Sequence, residues 1–262
     1  MPRKKPVEKT VPSDSEAFLP VKMDIDPQAY VVQANDIIFG MQALGPTEAK
    51  LLRLCIAQNV ESGDFFKPYQ ITVPELAKIL GVLPKYLYRD LEGICEGIIQ
   101  KPLKMYKDGS WVMYPWVSIC KYDDKTHMVH IQLNDAMKPF LLNLKESGIY
   151  STKYTLSNVI QYKSSYSIRI FEMLLARMNG GYIYGNEVKT ITLTTNEIRC
   201  ACDCTDRYLN PGDLGSKVIV RAIKEINQLS PYKIDVTPVK DSTRHIQAYQ
   251  FTISNRYQSS EA

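Results

Sequence analysis

The chain has 262 residues, 45% hydrophobic and 23% charged, a globular balance sized for one large domain or two of about 100–150 residues. No apolar run approaches the roughly 18 residues of a membrane span. The basic start Met1-Pro2-Arg3-Lys4-Lys5 runs into Glu8, Asp14 and Glu16 rather than an apolar signal core, so a cytoplasmic chain with no membrane contact is expected.

Residues 1–150 hold 18 Lys/Arg and 18 Asp/Glu, while residues 151–262 hold 14 and 10. The whole excess of positive charge therefore lies in the second half and favours a polyanionic partner there.

Residues 1–30 lack apolar periodicity and read as a mobile tail. Asn35 or Asp36 is positioned to cap a short helix through Met41, and Pro46 opens a helix over Thr47–Val60 with Leu52, Cys55, Ile56 and Val60 on one face. The stretch Tyr69–Val73 reads as a strand running into a helix that starts at Pro74, capped from Thr72 or Val73, and ends at Gly81. A second helix follows from Pro84 to about Ile98, with Leu87, Leu91, Ile94 and Ile98 at helical spacing. Two helices joined by a tight, Gly-containing turn are a helix-turn-helix candidate. The β-rich runs Trp111–Tyr122 and His127–Leu133, separated by Asp123-Asp124-Lys125, then make a hairpin. A helix-turn-helix with such a hairpin is a winged helix. Asn134 caps one more helix to about Leu144.

The same order recurs. Helices over Leu156–Tyr162 and Ser165–Met178, the latter stopped by Asn179-Gly180-Gly181, precede a strand over Lys189–Thr194. Thr194 and Glu197 fit a capping box. Asn210-Pro211 opens a helix to about Leu229, and strands over Lys233–Val239 and Ile246–Ile253 close the pattern. Ile71-Thr-Val-Pro-Glu matches Ile191-Thr-Leu-Thr-Thr in role. We expect an α+β protein of two tandem winged helices: a tail 1–30, domains 31–145 and 146–256 with a linker near 143–153, and a tail 257–262.

Within 212–229, Ile219, Ala222, Ile223, Ile226 and Leu229 make an apolar stripe. Opposite it Lys217, Arg221, Lys224 and Gln228 present cations and an amide along one line, as a major-groove helix needs. Asp213 suits the helix dipole or a cytosine amine. Taken alone, such a face is more often plain solvation. Its place as second helix of a winged unit in the basic half shifts the balance to double-stranded DNA. Arg207 and Tyr208 before the helix, and Lys240 and Arg244 in the wing turn, suit phosphates. In the first domain Lys85, Tyr86 and Arg89 hold the corresponding outer face, diluted by Asp90, Glu92 and Glu96.

Six cysteines suggest no disulfide framework and are expected reduced. Cys200, Cys202 and Cys204 lack a second Cys/His pair at zinc spacing, so a small buried apolar role is favoured over metal. No cofactor and no enzymatic activity are expected. A rolling-circle nickase would need a His-apolar-His strand, whereas His127 and His130 are three apart and His245 is isolated. Gly212-Asp-Leu-Gly215-Ser216-Lys217 has the wrong spacing and order for a phosphate loop.

The stretch Val32-Gln-Ala-Asn-Asp-Ile-Ile, with Gly45-Pro-Thr-Glu-Ala-Lys-Leu-Leu, resembles the opening of iteron-binding plasmid replication initiators. So does Tyr154-Thr-Leu-Ser-Asn-Val-Ile-Gln-Tyr-Lys-Ser-Ser-Tyr-Ser-Ile-Arg-Ile-Phe-Glu-Met-Leu, and Ala222-Ile-Lys-Glu-Ile-Asn is similar to the end of that family's recognition helix. The resemblance spans roughly residues 31–255. It implies two winged helices, the C-terminal one reading directly repeated origin sites and the N-terminal one adding a DNA contact in monomers and the interface of a repressing homodimer. It also implies opening of adjacent DNA and recruitment of host replication proteins. Asn210-Pro211-Gly212 departs from the family's more polar-aromatic helix start. In the Tyr154 motif, Tyr166 with Ile170, Met173 and Leu174 forms a core face and is expected to pack, while phosphate contact is the less favoured role for Lys163 and Arg169. The alternative reading is a transcriptional regulator built of two winged helices.

Overall fold

A computed structural model describes residues 21–23, 26–59, 64–178, 183 and 187–256. The stretch 1–20 of the expected tail, the tail 257–262 and the Asn179-Gly180-Gly181 stop lie outside the described residues.

The described structure begins at Val21, ten residues before the expected domain start at residue 31. Strand β1 (Val21–Lys22) runs parallel to β3 (Tyr69–Thr72), and Met23 is buried. Strand β2 (Tyr30–Ala34) leads into α1 (Asn35–Phe39), whose N-cap is Ala34 with no side-chain cap. Neither Asn35 nor Asp36 caps it; the Asn35 side chain instead accepts from the Thr152 hydroxyl at 2.7 Å. Helix α2 (Pro46–Asn59) follows.

The first winged unit is β3, α3 (Val73–Leu80), α4 (Pro84–Gln100), β6 (Val117–Asp123) and β7 (Met128–Leu133), with the hairpin β4 (Leu103–Lys107) and β5 (Ser110–Tyr114) inserted after α4. This corrects the single β-rich run expected over Trp111–Tyr122: it divides at Pro115, and its first half pairs backward with β4. Asn134 does act as a cap, accepting from Ala136 N–H at 3.0 Å, but it opens a 3₁₀ turn (Asp135–Met137) and a short helix α5 (Lys138–Leu141) rather than one helix to Leu144.

The expected linker 143–153 contains structure. Strand β8 (Ser151–Thr155) pairs antiparallel with β2, from Tyr30↔Thr155 to Ala34↔Ser151. The start of the second half is thus laced to the start of the first. After α6 (Ser157–Ile160) and α7 (Ser165–Arg177) comes the second winged unit: β9 (Val188–Thr194), α8 (Thr195–Ala201), the helix α9–α10 over residues 211–229, β10 (Tyr232–Lys240) and β11 (Ile246–Asn255).

The duplication holds at the level of hydrogen bonding. In each unit the entering strand pairs with the last strand, and the last with the one before it, giving β3-β7-β6 and β9-β11-β10. Each entering strand also ends in a capping box. Thr72 Oγ1 accepts from Glu75 N–H at 3.3 Å, and Thr194 Oγ1 accepts from Glu197 N–H at 3.1 Å.

Both halves share one core, which includes Trp116 from the first and Phe171 and Phe251 from the second. At the junction lies a fully buried ionic cluster. Glu172 on α7 receives Arg53 Nε at 2.9 Å and Arg53 Nη2 at 2.8 Å, Arg169 Nη1 at 2.9 Å, Gln33 Nε2 at 2.9 Å and the Tyr154 hydroxyl. Cys95 on α4 and Cys120 on β6 are joined, their Cα atoms 5.9 Å apart, which corrects the expectation that every thiol is free. No described helix is long and apolar enough to cross a membrane.

Candidate nucleic-acid interface

The second helix of the C-terminal unit begins where Asn210 caps it. Its side chain accepts from Gly212 N–H at 2.9 Å, with Pro211 at the first helical position, where a missing N–H costs nothing. The helix then runs as α9 (Pro211–Asp213), a π-helical stretch (Leu214–Ile219) and α10 (Val220–Leu229). The buried positions explain that stretch. Leu214, Val218, Ala222 and Ile226 recur every fourth residue, as do Gly215, Ile219 and Ile223. A strict four-residue repeat drifts about 40° per step around a 3.6-residue helix, and wider i→i+5 turns absorb that drift. The apolar stripe therefore starts at Leu214, a turn before the expected Ile219, and Leu229 is exposed at its far end.

Tyr249 on β11 supports this first turn. Its hydroxyl donates to the Pro211 carbonyl at 2.8 Å, and a Cβ on Gly215 would come within 2.8 Å of the same oxygen. The last turns are anchored by polar groups. The Glu225 carboxylate accepts from Lys163 N–H at 2.7 Å and Ser164 N–H at 3.3 Å, and the Asn227 amide forms two 2.8 Å bonds with the Ile234 backbone. Arg256 and Gln161 donate to the carbonyls of Gln228 and Leu229.

On the opposite face Lys217, Arg221, Lys224 and Gln228 are all exposed, as the spacing predicts. They are not equally free. Lys217 Nζ lies 3.1 Å from Asp213 Oδ1 and 6.0 Å from the centre of the Tyr208 ring. Among the described residues Arg221 and Lys224 form no ion pair. Arg207 is exposed but lies 3.6 Å from Asp203 and 3.9 Å from Asp206. Tyr208 is half-buried, its ring edge-on to Tyr166 at 6.5 Å. Arg199, which sequence reasoning passed over, shapes this approach by donating to the carbonyls of Arg207 at 2.9 Å and Leu209 at 3.1 Å.

Lys240 and Arg244 are exposed at the wing turn. Asp241 organises the turn, its Oδ1 accepting from the N–H of Thr243 at 2.8 Å and of His245 at 2.9 Å and from the Thr243 hydroxyl at 2.7 Å. These bonds hold the Asp241 carboxyl below its usual range.

In the first unit Lys85, Tyr86 and Arg89 form one exposed group, with Lys85 Nζ 4.9 Å and the Arg89 guanidinium 5.3 Å from the centre of the Tyr86 ring. Arg89 is bound to Asp90 at 2.6 Å.

Arg169 is structural, in keeping with the role favoured for it over phosphate contact. It is 3% exposed and bonds the Ala201 carbonyl at 3.1 Å, the Gly40 carbonyl at 2.9 Å, the Ile38 carbonyl and Glu172, so it ties the halves together and is not a phosphate contact. Lys163 is exposed. Burial pushes the Cys202 thiol up to about 12 and that of Cys204 to about 11, away from the thiolate a metal requires. Among the described residues no group of three or more His, Cys, Asp and Glu side chains is placed to hold a metal.

Two repeats of a helix-turn-helix closed by a wing, the second carrying an exposed line of cations on its second helix, define a tandem winged-helix protein. Residues 30–175 match the family described as Initiator Replication protein, WH1, and residues 194–253 match Initiator Rep protein, WH2. The chain belongs to this replication-initiator family. Among solved structures, the Pi initiator protein in complex with iteron DNA superimposes with a TM-score of 0.70 at 13% identity, covering 88% of this chain and 99% of that one. The WH1 domain of MSBI1.176, a replication protein isolated from a multiple sclerosis patient, matches with a TM-score of 0.30 at 20% identity over 37% of this chain and 79% of that one. No curated protein matches the sequence.

Proposed function

We propose that the chain binds directly repeated sites in double-stranded origin DNA and starts replication without catalysing a reaction itself. The observation that carries this reading is the exposed line of Lys217, Arg221, Lys224 and Gln228 on the second helix of a winged unit. Its cations have room to meet phosphates or guanine edges, and the Gln228 amide suits adenine. The Pi initiator, whose fold this chain shares, carries iteron DNA in its crystal structure. Lys240 and Arg244 on the wing and Lys85, Tyr86 and Arg89 on α4 add phosphate contacts that set register. A homodimer through the N-terminal unit, capable of repressing the chain's own synthesis, and contacts with host replication proteins complete the proposal. So does a cytoplasmic location.

Footprinting on DNA flanking the gene tests this. Several protected direct repeats at near-whole helical turns are expected, whereas a single protected inverted repeat would favour a dimeric transcriptional regulator.

A further inference from the structure

One element of the N-terminal winged unit has no counterpart between the matching elements of the C-terminal one. Between α4 and its first wing strand the N-terminal unit carries the hairpin β4–β5, whereas the C-terminal unit passes directly from α10 to β10. Asp108 and Gly109, both at positive φ, make its two-residue turn. The root is fixed: Leu103 is buried, Met41 and Lys104 exchange backbone hydrogen bonds of 2.8 and 3.1 Å, and Tyr114 stands edge-on to Phe140 at 5.1 Å. Strand alternation puts Leu103, Met105, Val112 and Tyr114 on the face toward the body and Lys104, Tyr106, Trp111 and Met113 on the other.

That outer face is open and aromatic. Tyr106 and Trp111 are direct cross-strand partners, 55% and 62% exposed. Lys104 Nζ lies 4.9 Å from the centre of the Tyr106 ring and 5.5 Å from that of Trp111. Lys104 and Lys107 form no ion pair among the described residues. The cores of protein–protein interfaces are depleted in lysine. Two rigid, solvent-facing rings with an unneutralised ammonium between them instead match a ligand made of flat rings on an anionic backbone.

We propose that the outer face of β4–β5 binds single-stranded nucleic acid, Tyr106 and Trp111 stacking on unpaired bases while Lys104 neutralises an adjoining phosphate. This function is separate from duplex recognition by α9–α10 and does not depend on it.

The chain's two tryptophans make the test direct, since Trp116 is fully buried and Trp111 is not. Titration of the full-length protein with dT20 is expected to quench Trp111 emission. W111A and Y106A are each expected to bind dT20 about tenfold more weakly, the loss of one stacked base, and W111F to retain most of the affinity. Their affinity for a duplex origin fragment should stay within about twofold of wild type. The same titration with rU20 shows whether DNA or RNA is the better strand. Absence of quenching with both strands, or wild-type dT20 affinity in both alanine variants, would overturn the proposal. So would sedimentation showing that W111A converts a dimer to a monomer while dT20 affinity is unchanged, because a second copy of the chain would then own this face. Loss of duplex binding by the wild type with dT20 binding intact would remove the origin-binding reading and leave this one standing.

Discussion

The Tyr249 hydroxyl donates to the Pro211 carbonyl at 2.8 Å and at the same time closes over Gly215, leaving no room there for a Cβ. One wing residue thus fixes both the first turn of the candidate recognition helix and the identity of a residue within it. Substituting Ala for Gly in a helix normally stabilises by about 0.5–1 kcal/mol. Here G215A should instead destabilise by about 1–3 kcal/mol, because the added methyl meets a held hydroxyl. Y249F alone should cost about 1 kcal/mol for the lost hydrogen bond. Removing that oxygen also relieves the clash, so the double variant should cost less than the sum of the two. Urea denaturation of the three variants checks this, and strict additivity would show that the two residues do not press on each other.

The exposed line on that helix should not respond evenly to truncation. R221A should weaken specific duplex binding by about 1–3 kcal/mol if the guanidinium reads a base. K217A should lose less, since Lys217 must first leave Asp213, an exposed pair worth about 0–1 kcal/mol. For the same reason D213A should strengthen binding to any phosphate Lys217 reaches. Gel shifts across a salt series separate the roles: a lost phosphate contact reduces the log–log salt slope by about 0.9. Wild-type affinity in both K217A and R221A at physiological salt would place the DNA elsewhere.

Much of this surface was legible because its causes are local. Helix starts at Pro46, Pro84 and Pro211, the Gly81 stop and the Thr194–Glu197 box all act within one turn, and amphipathic spacing orients the exposed cations. The β4–β5 hairpin had a local signal too, Asp108-Gly109, that the continuous apolar run across Pro115 obscured. Other features have no local signal. The β2–β8 pairing joins residues more than 100 positions apart, and β1 is a two-residue strand held by its neighbour. Arg53, Arg169 and Glu172 sit at helical positions that charge alone assigns to solvent, and only the meeting of the two halves buries them. Glu225 and Asn227 lie inside the recognised Ala222-Ile-Lys-Glu-Ile-Asn run, yet their backbone partners are distant or on the next strand.

Glu225 makes the position of the recognition helix depend on α7. Its carboxylate takes two backbone N–H groups at the start of that helix, as a capping side chain would. E225A should cost about 0.5–2 kcal/mol of stability, the usual range for a lost cap, and E225Q should recover part of it because the amide oxygen still accepts. Thermal melts give the stability, and hydrogen exchange should show faster opening at Lys163 and Ser164 in E225A. Unchanged exchange there would mean water replaces the carboxylate at no cost.

Glu172 predicts how the whole assembly responds to acid. Burial alone would raise its carboxyl, but Arg53 and Arg169 outweigh burial and hold it at about 2, against an ordinary 4.5. The unfolded chain therefore takes up this proton at a higher pH than the folded one. The stabilisation is complete above about pH 4.5 and is lost as the pH falls toward 2. At neutral pH E172Q leaves two buried guanidinium groups without their anion and should cost about 3–5 kcal/mol. In return its stability should fall less steeply than that of wild type between pH 4.5 and 2. Urea midpoints measured for both proteins across that interval check the sign. Parallel pH profiles would mean that the acid response comes from other carboxylates and that the cluster does not keep Glu172 ionised.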